Sequence, residues 1–284
     1  MKSGYLKIFN EHKGLVTASF LLMLFSGFGQ SVFFGAYLPE IQTRFDINKT
    51  LLGSIYACAT ILSALLMSWS GKYLDKLPLT RFISVILFGL SLGCLLLAFA
   101  SHPLALFLAF LLLRQFGQGL MPLAGITAIN RYIETGRGRA QSMATLGLPV
   151  HVALFPITGN AMLTSLGFAT NWIFNACFIL IILIPLFWLL LRRHEEMTHK
   201  IWKTRMAEKE EQDKSAGLIP DEWTRRRVLS DWRFYLIMMV MLIPPCFGTA
   251  VFFYQSVLAE LHNIESTVFA SGFLFFTICS VSAS

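Results

Sequence analysis

Eight apolar runs, each close to the length of a bilayer crossing, leave this chain of 284 residues little choice of fold. A spanning helix needs about 20 mostly apolar residues. Such runs lie near 14–38, 51–69, 82–100, 104–129, 140–163, 171–191, 234–258 and 266–284. Inside hydrocarbon each backbone amide must find its partner within the segment, so runs of this length read as helices. Composition agrees: 55% of the residues are hydrophobic, 14% are charged, and 26 are phenylalanine, more aromatic surface than a water-soluble domain of this size could bury. The expectation is an all-α polytopic membrane protein.

Lysine and arginine orient it. Of the 23 basic residues, 20 fall in the N-terminal tail, the connection after the second run, the connection after the fourth, and the stretch 192–233; the other connections hold only Arg44 and Lys49, and Arg114 lies inside a run. This is the positive-inside pattern, and it predicts a cytoplasmic N-terminus in a plasma membrane, the bacterial inner membrane on the evidence of short connections. The net charge of +7 is thereby explained by topology, and no nucleic-acid partner is expected. The connections between the first six runs are short, whereas 192–233 carries eleven basic and nine acidic residues. The predicted organisation is a six-helix bundle over 1–191, a charged cytoplasmic linker over 192–233, and over 234–284 the first two helices of a second, incomplete bundle.

The connection after the second run, Gly71 to Phe82 (GKYLDKLPLTRF), is charged and bent. Gly71 permits a tight turn and Pro78 fixes a turn φ ahead of the third helix. With Gly71, Asp75 and Lys76 at their places, the stretch resembles the signature between helices 2 and 3 of the major facilitator superfamily of transporters. Leu74 stands one position late, Pro78 replaces the second glycine, and Arg81 remains of the trailing basic pair. Arg131 and Arg137-Gly138-Arg139-Ala140 resemble the family's basic connection after helix 4, Trp172 with Phe174 its aromatic start of helix 6, and Arg114-Gln115-Phe116-Gly117-Gln118-Gly119 its arginine and paired glycines in helix 4, here one residue early. The resemblance implies alternating access between two six-helix halves, with Gly71, Asp75, Lys76 and Arg81 forming a cytoplasmic gating hairpin.

Arg114 is the charge that demands an account, since it sits about 15 Å into its helix by helical rise. A cation there costs at least ~2.5 kcal/mol on the permissive insertion scale. It is either a counter-charge for an anionic substrate or part of proton coupling, or an arginine tied to helix carbonyls and nearby polar side chains. Gln30, Gln118 and His151 lie at similar depth, the amides needing partners away from water and the imidazole able to carry a proton. Asn160, Tyr254 and Gln255 are weaker candidates. Pro244-Pro245 with Gly248 predicts an interrupted seventh helix beside a cavity. Phe155-Pro156 and Gly159-Asn160 half-match a helix-5 motif of antiporters in the same family.

No phosphate-cradling Gly-x4-Gly-Lys-Ser/Thr loop is present, so an ion gradient is the expected energy source. The five cysteines lack metal-ligand spacing and read as packed free thiols; no metal or cofactor is expected, and no enzymatic activity. The reading is a secondary transporter in the bilayer for a small organic anion, such as a monocarboxylate moved with a proton, by loose similarity of helix 4 to organic-anion (oxalate/formate-like) members. Two alternatives stand beside it: a transport-incompetent truncated piece of a twelve-helix transporter, and a drug efflux transporter.

Overall fold

A computed structural model describes residues 2–71, 73–192, 204 and 225–282. Every regular element among them is helical. In chain order these are α1 (Lys2–Phe25), a 3-10 turn (Ser26–Gly29), α2 (Ser31–Phe45), α3 (Lys49–Ser70), α4 (Tyr73–Lys76), α5 (Leu79–Phe99), α6 (Pro103–Leu112), a π-helical stretch (Leu113–Leu120), α7 (Met121–Tyr132), α8 (Arg137–Thr145), α9 (Gly147–Leu166), α10 (Phe168–Phe178), a second π-helical stretch (Ile179–Leu183), α11 (184–192), α12 (Arg225–Ser230), α13 (Trp232–Phe253), α14 (Gln255–Leu261) and α15 (Ser266–Ser282).

Seven of these runs are long and apolar enough to cross a membrane, from Gly4–Phe45 to Trp232–Phe253. The eighth, α15, covers 17 described residues. The protein is thus an all-α polytopic membrane protein, and the predicted spans hold to within a few residues except the first. There the helix begins at Lys2, bends at His12 and is broken at Ser26–Gly29. The expected linker lies outside the described residues up to 224, Thr204 aside; its end forms α12.

Within the first six runs α1 packs against α7, α8 and α9, α2 against α9, α3 against α6, and α5 against α6 and α10. Gly14, Gly125 and Gly147 bring the neighbouring backbones against α1, as small residues do where no water drives helices together. Opposite the basic connections the core is aromatic: Trp172, Tyr37 and Phe34 are fully buried, and Phe33 meets Tyr37, Phe155 and Trp172 edge-on at 5.1–5.5 Å. A buried polar ladder crosses it, Asn175 Nδ2 donating to Asn171 Oδ1 at 3.2 Å and Asn171 Nδ2 to the Tyr37 hydroxyl at 2.6 Å.

α13 to α15 attach to this bundle unevenly. α15 runs along α9, with Thr277 Oγ1 donating to the Pro149 carbonyl at 2.7 Å. α13 is exposed along most of its length (Trp232 67%, Met241 70%, Phe247 72%) until Phe253, which is 3% exposed. Two expectations are corrected. Pro244-Pro245 does not interrupt α13: the prolines withdraw the amides that would serve Val240 and Met241, two bonds of a 22-residue helix, and the break falls instead at Tyr254 (φ −92, ψ 19). Gly71 has ordinary helical dihedrals (φ −58, ψ −33), so it ends α3 without using glycine's freedom, whereas Pro78 (φ −56, ψ 139) does start α5 as expected.

Candidate functional site

The residues Ser26-Gly27-Phe28-Gly29 cannot hold an α-helix easily, since two glycines lose more freedom there than any other residue and Ser26 Oγ turns back to the Met23 carbonyl at 2.7 Å. The result is one 3-10 turn followed by an extended Gln30 (φ −87, ψ 148) that starts α2. Both glycines are also needed for approach. A Cβ on Gly29 would overlap the Leu113 carbonyl and come within 2.6 Å of the Gln118 amide and 2.8 Å of Gly117 Cα; one on Gly27 would lie 2.8 Å from the Phe155 ring and 3.0 Å from His151 Cβ. The break is therefore clasped between the fourth run on one side and the fifth on the other.

Facing it, the fourth run is π-helical from Leu113 to Leu120. A π turn inserts one residue into the helical register and is frequent at functional sites. It lies over the segment whose glycines come one residue early, and it lets Gly117 meet Gly29 backbone to backbone.

Arg114 emerges from this stretch at 5% exposure. Its Nη1 donates to the Gly29 carbonyl at 3.3 Å, and its guanidinium carbon lies 5.0 Å from the centroid of Tyr56 on α3. Among the described residues no carboxylate lies within ion-pair distance of it. A desolvated cation–π contact is worth about 2 kcal/mol and a hydrogen bond from a charged donor about 1.5–3. Together, at about 3.5–5 kcal/mol, they meet or exceed the ~2.5–3.5 kcal/mol of placing a cation at that depth. The charge is thus tolerated where it lies, held against the Gly29 carbonyl and the Tyr56 side chain. The carbonyl contact expected of a structural arginine is present.

The other predicted polar groups gather around the same break. Gln30 forms its exit. Gln118 Oε1 is buried without a hydrogen-bond partner among the described residues, and His151, 3% exposed, stands against the backbone at Gly147 and Met23 with Phe155 edge-on at 5.9 Å. Beside His151 and Phe155 a cavity of about 190 Å³ is lined by Phe25, Phe28, Phe33 and Phe178, with Thr158 and Asn175 as its polar wall.

Residues not singled out in the sequence complete the setting. Gln115 Nε2 donates to Ser70 Oγ at 2.7 Å and its Oε1 accepts from Ser63 Oγ at 3.0 Å, fastening the π stretch to α3. Tyr56 sits beneath Arg114. A glutamine adjoining the intramembrane arginine and a tyrosine halfway along an apolar run were the available signals, since a buried phenol usually seeks a partner.

Asn160 lines a cavity of about 40 Å³ with Gln255. Gln255 Nε2 donates to the Val32 carbonyl at 2.6 Å, and Tyr254 places its hydroxyl against Gly53, so both serve to join α13 and α14 to α2 and α3. An exposed ion pair, Lys49 to Glu260 at 3.3 Å, spans the same junction. The hairpin residues stand apart, on the basic face. Arg81 is exposed, and the side chains of Asp75 and Lys76 lie outside the described residues. Leu74, 2% exposed, offers its carbonyl to Arg131 Nη2 at 3.0 Å, which ties the hairpin to the end of α7.

A family model described as Major Facilitator Superfamily matches residues 19–284. No curated protein and no solved structure matches the chain.

Proposed function

We propose, from the premise that this chain belongs to the major facilitator superfamily and is a secondary transporter of small solutes in a membrane, that its solute is a small organic anion moved with a proton by alternating access to Arg114. The observation that carries the reading is the guanidinium itself, buried at mid-span with no carboxylate partner among the described residues. A planar carboxylate is the natural acceptor for such a fork. Gln30 and Gln118 supply amides at the break, and His151, buried beside it, takes the proton.

In this reading the basic face is cytoplasmic, in a plasma membrane of the bacterial inner type. The hairpin of Gly71, Asp75, Lys76 and Arg81 gates that side, and residues 1–191, 192–233 and 234–284 act as a first bundle, a linker and helices of a second bundle.

The test is uptake of radiolabelled monocarboxylates into vesicles under an imposed proton gradient. Removing one partner of a buried charge pair costs about 2–5 kcal/mol, so Arg114→Ala is expected to weaken carboxylate binding by about 30-fold or more. His151→Asn is expected to abolish gradient dependence while leaving binding intact. Uptake by Arg114→Ala equal to that of the natural chain refutes the anion assignment. Efflux of lipophilic drugs is favoured by one observation, the phenylalanine-lined cavity of about 190 Å³. That reading predicts drug transport indifferent to Arg114→Ala.

A further inference from the structure

We infer that the phenylalanine-lined cavity on the fifth-run side of the break binds a small neutral aromatic molecule with one hydrogen-bond donor, of the phenol or indole class, which enters from the bilayer between α9 and α10. Arg114 takes no part in its lining. The floor is Phe28 of the 3-10 turn and Phe33 of α2, and Phe155 of α9 forms one wall. These three rings stand edge-on to one another, Phe28 to Phe155 at 5.1 Å, Phe33 to Phe155 at 5.3 Å and Phe28 to Phe33 at 5.7 Å. Each ring is held by the other two, so the site is preformed, as ligand pockets usually are. The volume is about 190 Å³. An apolar cavity of roughly 150 Å³ takes benzene, so this one has room for a single ring with a short substituent.

Access is lateral. Phe174, which lines the cavity from α10, is 52% exposed, and further along the same run Ile181 is 71% exposed; Thr158, which lines it from α9, is exposed as well. In a spanning bundle an exposed apolar side of this kind faces lipid. A ligand arriving by that mouth has crossed hydrocarbon, which penalises a charge heavily. That sets aside the ammonium ion which a ring of phenylalanines would otherwise suit. The polar groups decide the rest. Asn175, 4% exposed, gives Nδ2 to Asn171 Oδ1 at 3.2 Å, while its own Oδ1 enters no hydrogen bond among the described residues. Thr158 commits its proton to the Leu154 and Phe155 carbonyls at 3.0 and 3.2 Å, which leaves the lone pairs of its hydroxyl. The ladder through Asn171 to Tyr37 explains the amide nitrogen of Asn175 and not the oxygen. Two acceptors at the edge of an aromatic cavity match a ring bearing an O–H or N–H. Binding here requires neither an anion at Arg114 nor transport of the ligand.

The experiment is a fluorine NMR titration of 4-fluorophenol and 4-fluorotoluene into the full chain in lipid nanodiscs. Protein-free nanodiscs give the partition into lipid, and thermal melting of each variant is the control for folding. The phenol is expected to bind about three- to tenfold more tightly than the toluene after correction for partition, the size of one hydrogen bond. Asn175→Leu is expected to erase that advantage while the toluene still binds; were Asn175 to serve the ladder alone, melting would fall and the phenol would keep its advantage, which refutes the donor class. Thr158→Trp, a bulky side chain at an exposed mouth, is expected to melt with the natural chain and to weaken binding of both rings about tenfold or more. Saturating pyruvate is expected to leave the phenol bound; displacement would place the ring at the Arg114 site and overturn the cavity assignment, whereas a failure of pyruvate to bind bears on the anion reading alone. Should the natural chain bind neither ring, or both variants bind the phenol as tightly as the natural chain does, the assignment falls.

Discussion

Gly29→Ala isolates the claim that the break in the first run is held by backbone contact with the fourth. The new Cβ would overlap the Leu113 carbonyl oxygen and lie 2.6 Å from the Gln118 nitrogen and 2.8 Å from Gly117 Cα. All three are backbone atoms of a π-helical stretch already fastened to α3 through Gln115, so none is the free end of a flexible side chain. Overpacking in a well-packed core costs about 1–3 kcal/mol where side chains can shift, and the upper part of that range applies here. For chains of this size that corresponds to a fall of about 4–12 °C in melting temperature. Gly27→Ala meets the Phe155 ring and His151 Cβ, which can rotate or lean, so its loss should be about half as large. Gly138→Ala, with nothing within 4 Å of the new Cβ and a helical position in α8, should be neutral or raise stability by up to about 1 kcal/mol. The assay is thermal unfolding in detergent, followed by carboxylate binding on whatever remains folded. A Gly29→Ala chain that melts with the natural protein and with Gly138→Ala refutes the close approach, and with it the placement of Arg114 against the Gly29 carbonyl.

Other perturbations separate strong contacts from weak ones. Gln115→Leu removes two interhelical bonds at 2.7 and 3.0 Å; at about 0.6–1.7 kcal/mol each the melting temperature should fall by about 2–14 °C. Lys49→Ala breaks the ion pair with Glu260, but its partners are 48% and 75% exposed, so thermal melting should move by no more than about 4 °C. Gln255→Leu, by contrast, loses a buried 2.6 Å bond. In that background Ala36→Cys, at a position 9% exposed, should react several-fold faster with a membrane-impermeant maleimide than it does beside the native glutamine. Equal labelling rates would show that Gln255 does not seal this junction.

Helices were legible because apolar length is set by the bilayer and needs no partner to read. Arg114 was legible for the same reason, as a charge the bilayer penalises wherever it lies. The break was not. Gly27-Phe28-Gly29-Gln30 stood within an apolar run, and a glycine pair there reads equally as close packing or as interruption until the neighbouring backbones are placed; here it is both. The prolines failed in the opposite direction. Pro244-Pro245 carries the stronger local signal for a break, yet α13 continues through it, and the helix stops at Tyr254, where contact with α2 and α3 decides. Gln115 was hidden by its neighbour: one residue from a charge, an uncharged amide draws no notice until Ser63 and Ser70 are seen to bracket it.

The broken run also explains how the Arg114 site and the distant junction can act together without a long path between them. Gly29 accepts the bond from Arg114, and Val32, three residues later, accepts the bond from Gln255. Both loads fall on the joint between the 3-10 turn and α2, and Gln30, extended and outside either helix, is the residue free to absorb a change in dihedral angle. A rigid helix would spread a local shift over its whole length; a run interrupted here transmits it between two neighbouring carbonyls. In the anion reading, an anion that draws the guanidinium off the Gly29 carbonyl loosens the start of the helix on which Gln255 rests. Coupling of this kind needs no differential contact beyond those two bonds, which places its size at the scale of one buried hydrogen bond, about 1–2 kcal/mol.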